Sequence, residues 1–508
     1  MSGRAGERNR IMSAPDARLS TVFNRFGLGA RPGDFARVDD PRDYLIAELN
    51  APDSALIVDP ALPRGAEAIQ AVYADEDRKR IEREKAALDA LASVHMPDPA
   101  AAARDFPLAR AAPAMIGSAG PAMMMTTSSA EAMGKPTPPP EQVFFRAEAL
   151  ARVRKGLDAP VGFVERLAAF WSNHFCVSVA KSNIGRACAG AFEREAIRPY
   201  VTGRFADMLR AVEQHPTMLN FLDNAQSIGP NSRAGRNSDR GLNENLAREI
   251  LELHTLGVGA GYTQTDVTEL ARIITGWTIA GREGKLGEPG AFIFNANTHE
   301  PGAATLLGRI YAQDGVAQGE AALTDIARHP AVASHIARKF ARHFVADDPP
   351  KDLVQRLART FHDSDGDLGA LARALVEDDA AWAAPPAKMR NPWELTMATM
   401  RAFGRPADDA GPILNALNLL GMPLWQPGGP NGFADDAAAW SSPEGMKTRL
   451  ELASVFSRQV KDAPPPVMLL DQVVGPGVSN ATRDAVSRAE SREQAFALLI
   501  LSPEFQRR

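Results

Sequence analysis

The sequence predicts an all-α, mainly helical protein: a multi-helix globular core with one small β-hairpin and a low-complexity insertion. Three observations carry that prediction. Apolar residues recur three and four apart over most of the chain, which lays a continuous apolar stripe along one side of a helix. Strand-like runs cluster in one place only, Phe292–Phe294 and residues 305–310, flanking a loop at 295–302. Residues 96–141 abandon periodicity altogether and are dominated by alanine, proline, serine and methionine, a composition with little to bury.

The elements follow in order. Two short amphipathic segments between Leu19 and Leu49 flank a glycine- and proline-marked turn at residues 27–33, read as helix, turn, helix. Residues 66–94 carry opposite charges three and four apart, among them Glu76, Arg80, Glu82 and Lys85, as expected of an exposed helix. The insertion at 96–141 is expected to be flexible. Periodicity resumes at Gln142, and Phe163, Leu167, Phe170, Trp171 and Phe175 put aromatics on one side of a helix. A polar gap at 224–240 precedes the densest motif, and from Glu320 onward helical spacing dominates, interrupted by an irregular proline- and tryptophan-rich stretch at 423–443. With 508 residues, more than one hydrophobic core usually holds, the expected organisation is an N-terminal helical segment (1–65), the charged helix and insertion (66–141), a core unit carrying the motifs (142–318) and a C-terminal helical unit (319–508).

Composition narrows the function classes. A formal charge of −5 supplies no general attraction to phosphate polymers, so nucleic acid is not an expected partner. No run of eighteen uncharged apolar residues occurs, so no membrane span is expected. Residues 1–15 hold Arg4, Arg8 and Arg10 without the apolar stretch that a secretory signal needs after them. The chain as written therefore reads as cytoplasmic, with a periplasmic or exported location left open. Two cysteines, Cys176 and Cys188, twelve apart, match no zinc or disulfide pattern and are expected as buried thiols. No motif names a cofactor, and no metal site is expected.

Chemistry-bearing residues concentrate in three motifs. Residues 243–257 form one expected helix, with Asn243 as N-cap and Gly257 as stop, residue types suited to those ends. Leu246, Ile250, Leu253 and His254 share its core face; Asn245, Arg248, Glu249 and Glu252 share the other. Glu249 and Glu252 beside Arg248 suit a general acid/base pair whose pKa values are driven apart; the same pattern suits a solvated face laced with ion pairs. His254, among leucines and with no second histidine four residues away, reads as a core histidine. The next segment begins with Thr263 and Asp266, a capping-box spacing, and Glu269 with Arg272 reads as a local ion pair. Upstream, Asn173 and His174 stand beside large aromatics near a helix end, where burial can tune an imidazole or merely hold it. His299 and Glu300 occupy the 295–302 loop, a place where scaffolds present functional groups.

In this order the motifs resemble a known bacterial family, domain of unknown function 1800. Residues 243–277 resemble its strongest signature, an NEN run leading into ELHTLG, GYTQ and TGW. Residues 24–29 resemble its opening, residues 171–175 its WSNHF block, and His299, Glu300 and Gly302 a histidine-acid-x-Gly-x-Lys block. His329 and Pro330, Ala337 to Lys339, and Phe344 with Val345 resemble its next helix, and residues 423–440 its late proline-tryptophan segment. Two departures stand out: Glu300 replaces the usual aspartate and Ala304 the usual lysine, so the resemblance carries no ammonium at that position. It names no reaction; members are similar to secreted or envelope proteins encoded beside a sulfatase-like partner family.

Two functional expectations follow, with a weaker third, a metal or haem protein, from the faint likeness of the NEN and HTL runs to peroxidase sequences. The first is an enzyme, a hydrolase or lyase, acting by acid/base chemistry on an envelope or extracellular polymer such as a polysaccharide. Its catalytic groups would be Glu249, Glu252, His299 and His174, and Asn173, Asn245, Arg248 and Trp277 would bind substrate, all facing one shared cleft. The second is a non-catalytic binding or assembly protein docking a sulfatase-like envelope partner through the 96–141 insertion and the 423–440 stretch.

Overall fold

The computed structural model describes residues 14–93, 138–237 and 241–508. Among them lie twenty-three α-helices and two small antiparallel hairpins, so the mainly helical class holds. No helix of the described residues is long and apolar enough to cross a membrane. Most of the 96–141 insertion lies outside the described residues. Its last prolines come back into view where Pro140 opens the Pro140–Asp158 helix, the first-turn position that tolerates a missing N–H.

The charged segment is a helix, Gly65–Ser93. Its first turns bury Ala68, Ile69 and Val72 beside Ala187 and Cys188, whereas Ile81, Leu88 and Leu91 further along are exposed. The main core runs from Val22 to Trp425 and gathers Phe163, Leu167, Phe170, Trp171 and Phe175, the aromatic side read from sequence. A second cluster joins Leu395, Ala398 and Phe403 to Leu469, Phe496 and Phe505. The Pro392–Ala402 helix contributes to both, with Met397 and Met400 in the first. Cys176 and Cys188 are buried and free.

The single expected hairpin is corrected to two. Strand β1, Trp277–Ile279, pairs with β2, Phe292–Phe294, in the register Trp277 to Phe294 and Ile279 to Phe292. Strand β3, Ala304–Leu306, folds onto β4, Arg309–Tyr311. The two runs flanking 295–302 therefore pair with other strands and not with each other. The reason is the turn at Leu307 and Gly308, where φ is 51° and 76°. Two consecutive positive values are the geometry that closes a two-residue hairpin, and the leucine there hides the turn from a sequence reading.

Helices approach closely where side chains are small. Gly190 in the Asn183–Phe192 helix faces the Pro140–Asp158 helix, and a Cβ there would lie 2.3 Å from the Glu148 Cβ. Gly190→Ala is expected to lower the urea midpoint: the clash costs about 1–3 kcal/mol of overpacking, more than the gain of up to about 1 kcal/mol in helix propensity. An unchanged or higher midpoint would show that the two helices can separate freely.

Candidate functional site

Three of the sequence motifs meet at one place. The Phe163–His174 helix ends with Asn173 and His174. The Pro330–Phe344 helix carries His335, Lys339 and His343 at four-residue intervals, which keeps them on one face. Residues 431–436, from the proline-tryptophan stretch, close the top. Together they bound a polar chamber of about 220 Å3 whose walls include His174, Lys339, His343, Asn431 and Asp435.

The signature helix arrives from beneath. It is α-helical over Asn245–Glu249 and widens to a π-turn over Ile250–His254, a departure that often marks functional sites. Asn243 accepts from the Asn245 N–H, and Gly257 ends the segment at a φ of 91°. The widened turn delivers the His254 carbonyl to His174 Nε2 at 3.0 Å and the Leu253 carbonyl to His335 Nε2 at 3.3 Å. His254 itself is buried, as expected, with Nδ1 2.8 Å from the fully buried Glu213.

These contacts determine protonation states. Lys339 Nζ donates to His174 Nδ1 at 2.8 Å, so the other ring nitrogen of His174 carries the hydrogen that reaches the His254 carbonyl. Burial, with Lys339 adding to it, holds the His174 pKa well below the ordinary imidazole range. Burial likewise lowers the Lys339 ammonium to about 8 and His335 to about 4. Next to them Arg166 donates to His343 Nε2 at 3.1 Å, and His343 Nδ1 donates to Asp435 at 3.1 Å. Asp435 stays ionised, its carboxyl held low by His343 and Lys388 against the cost of burial. The Lys388 ammonium also donates to the Asp435 carbonyl at 2.6 Å and to Asp347 at 2.9 Å.

A narrower, mostly apolar chamber of about 60 Å3 adjoins the polar one and shares Asn173, His343, Phe433, Ala434 and Asp435 with it. In the wall that the two share, the Asn173 amide pairs with the Phe433 backbone, which donates at 2.8 Å and accepts at 3.0 Å. Gly432 makes this possible: its φ is 77°, and a Cβ there would lie 2.5 Å from the Asn173 carbonyl.

Of the residues expected from sequence, Asn173 and His174 line the polar chamber; Glu249, Glu252 and His299 are not among its walls. Glu249 is half-buried, its carboxyl raised by burial, with His254 opposing and Glu252 reinforcing the shift. Glu252 accepts a long contact from the Tyr262 hydroxyl at 3.5 Å. Arg248 is spent on Glu244 and Gln264, and Asn245 is exposed. Glu269 and Arg272 make the local ion pair, and Thr263 with Asp266 the capping box. Trp277 is fully buried beneath Gly319 and offers no face to a ligand. His299 sits apart, donating to the Thr275 carbonyl at 2.8 Å against Phe294, while Glu300 accepts from Asn231. Lys339, His343 and Asp435 escaped the sequence reading as site residues, although the His335, Lys339, His343 spacing was a usable signal.

A helical scaffold with two adjoining chambers, the polar one walled by a part-buried lysine, buried histidines and a part-buried aspartate, defines the class of protein. The chain belongs to the family described as protein of unknown function (DUF1800), whose profile matches residues 21–507. No curated protein and no solved structure matches it.

The part-buried Lys339 makes stability depend on pH. Its folded pKa of about 8 lies below the ordinary 10.5, so between those values the unfolded chain binds the extra proton and stability rises with pH. Lys339→Met is expected to remove that rise, read as unfolding free energy against pH for both proteins. An identical slope in the two would place the ammonium in water.

Proposed function

We propose that the protein is an enzyme acting by acid/base chemistry on an envelope or extracellular polymer, a glycan bearing an anionic group, with the reacting atoms in the polar chamber. One observation carries the reading. Lys339, part-buried in the wall of a chamber of about 220 Å3, donates to a neutral His174 at 2.8 Å. Of its three N–H donors one is engaged by His174, and no other hydrogen-bond partner is present among the described residues. An ammonium lowered to about 8 is matched to proton transfer near neutral pH, where a group with a pKa close to the ambient value both gives and takes a proton. The spare donors suit an anionic or developing oxyanionic group of the substrate.

The neighbours serve that group. His174, tethered through Nε2 to the His254 carbonyl, holds Lys339 in place and cannot itself charge easily. Arg342 adds a second cation to the chamber wall. Asp435 is already ionised and bound by His343 and Lys388, so it sets the field and is not the proton carrier. Glu249, half-buried on the signature helix and outside the chamber's walls, is not needed in this reading, and the polymer is carried over as the expectation that the family resemblance raised.

The test is turnover of uronic-acid and sulfated glycans, followed as new chain ends. Lys339→Met is expected to lower the rate by about 100-fold or more, the usual scale of a lost acid/base group. Its thermal midpoint should be equal or higher, because a partly desolvated charge with no carboxylate partner among the described residues has been removed. Glu249→Gln, measured alongside, is expected to keep its rate; a comparable loss would bring that carboxyl into the site. Full rate in Lys339→Met would overturn the reading.

A further inference from the structure

The chamber beside Lys339 has walls of a different kind. Leu417, Met422, Leu424, Trp425 and Phe433 turn carbon toward it, and most of the polar groups among its walls are engaged by protein partners, the Arg166 Nε–H excepted. Arg152 pairs with Glu193 at 3.0 Å and lies 4.6 Å from the Trp393 ring centroid. Trp425 Nε1 donates to Glu193 at 3.0 Å, and Ser172 donates to the same carboxylate. Arg166 pairs with Glu394 at 3.1 Å. An occupant rich in hydroxyls would surrender its water and find few free partners.

The chamber is also built with strain. Trp425 has a φ of 50°, uncommon for a bulky residue. It is pinned there by the Val179 N–H donating to its carbonyl at 2.9 Å as well as by Glu193. Such strain persists where surrounding contacts over-determine it, and it clusters at ligand clamps. Cys176, whose thiol is pushed up to about 12 by burial, adds a neutral wall.

Resting on the proposed role of Lys339, we propose that the apolar chamber is a subsite for a short acyl or alkyl group of the substrate. The substrate is then amphipathic, with its anionic or reacting group at Lys339 and His174 and its carbon chain past Asn173 and Phe433. Adjacency carries the assignment, since the two chambers have five wall residues in common. Size sets the length. Roughly 10–15 Å3 of such volume holds one water, so about 60 Å3 takes about four to six water-sized groups, room for a short chain and not a long one.

The probes are straight-chain carboxylates from acetate to dodecanoate, with hexanol as a neutral control, titrated calorimetrically into the full chain. Hexanoate is expected to bind about tenfold or more tighter than acetate, through burial of the added methylenes. Ala169→Phe, which fills the chamber from its half-buried wall, should abolish that gain and leave acetate unchanged. Should it disturb folding, Val177→Ala enlarges the same chamber and should move the preference to longer acids. Equal affinity for acetate and hexanoate, a gain that survives Ala169→Phe, or no hexanoate binding up to millimolar concentration would overturn the subsite. Lys339→Met separates the two ideas. If it abolishes acetate binding and glycan turnover while chain length has no effect, the Lys339 reading stands and the subsite falls. If the chain-length gain is present but Lys339→Met changes neither carboxylate binding nor turnover, the subsite stands and the Lys339 reading falls.

Discussion

A buried carboxylate cannot be left alone, and Glu394 is where that constraint organises this protein. It sits in the first turn of the Pro392–Ala402 helix and completes a capping box with Asn391. One oxygen pairs with Arg166 at 3.1 Å and the other accepts from Arg508 at 2.7 Å. Arg166 continues to His343 and to the Arg25 carbonyl, and Arg508 donates to the His343 carbonyl. One side chain thus ties together the helix that carries Asn173 and His174, the helix that carries Lys339 and His343, and the C-terminal residues. Charges this deep are costly to bury and strongly coupled once paired, so the helices cannot slide independently while Glu394 keeps its partners.

The site inherits its order from that anchoring. His343 has both ring nitrogens committed, one to Arg166 and one to Asp435, and His174 likewise, to Lys339 and the His254 carbonyl. Neither histidine is free to serve as a mobile base, and both work by holding a neighbour. Lys339 keeps unused hydrogen-bonding capacity beside His174, and loss of water lowers its pKa to about 8. The chemistry proposed for the chamber follows from this allocation of partners more than from the presence of any single residue type.

Much of the fold was legible in the sequence. The aromatic side of the Phe163–His174 helix, the capping box at Thr263 and the stop at Gly257 come from rules that act within one or two turns, and such rules need no tertiary information. The hairpins were half legible: the strand runs could be found, but their pairing turned on a leucine at positive φ, a conformation that its side chain does not advertise. The candidate site was legible only at Asn173 and His174. The signature helix drew attention to Glu249 and Glu252 because its charges are conspicuous, yet what the helix brings to the chamber is the backbone carbonyl of a π-turn, which no side-chain pattern encodes.

Local sequence therefore determined the helical class, the helix ends and the membership of the three motifs in one family. Tertiary structure decided which of the charged residues are buried together. Lys339 lies 165 positions from His174, and Asp435 lies 92 from His343. A pKa is set by the water a group loses and the charges it meets, and both depend on which segments the core brings into contact, information that is absent from any stretch short enough to be read as a motif.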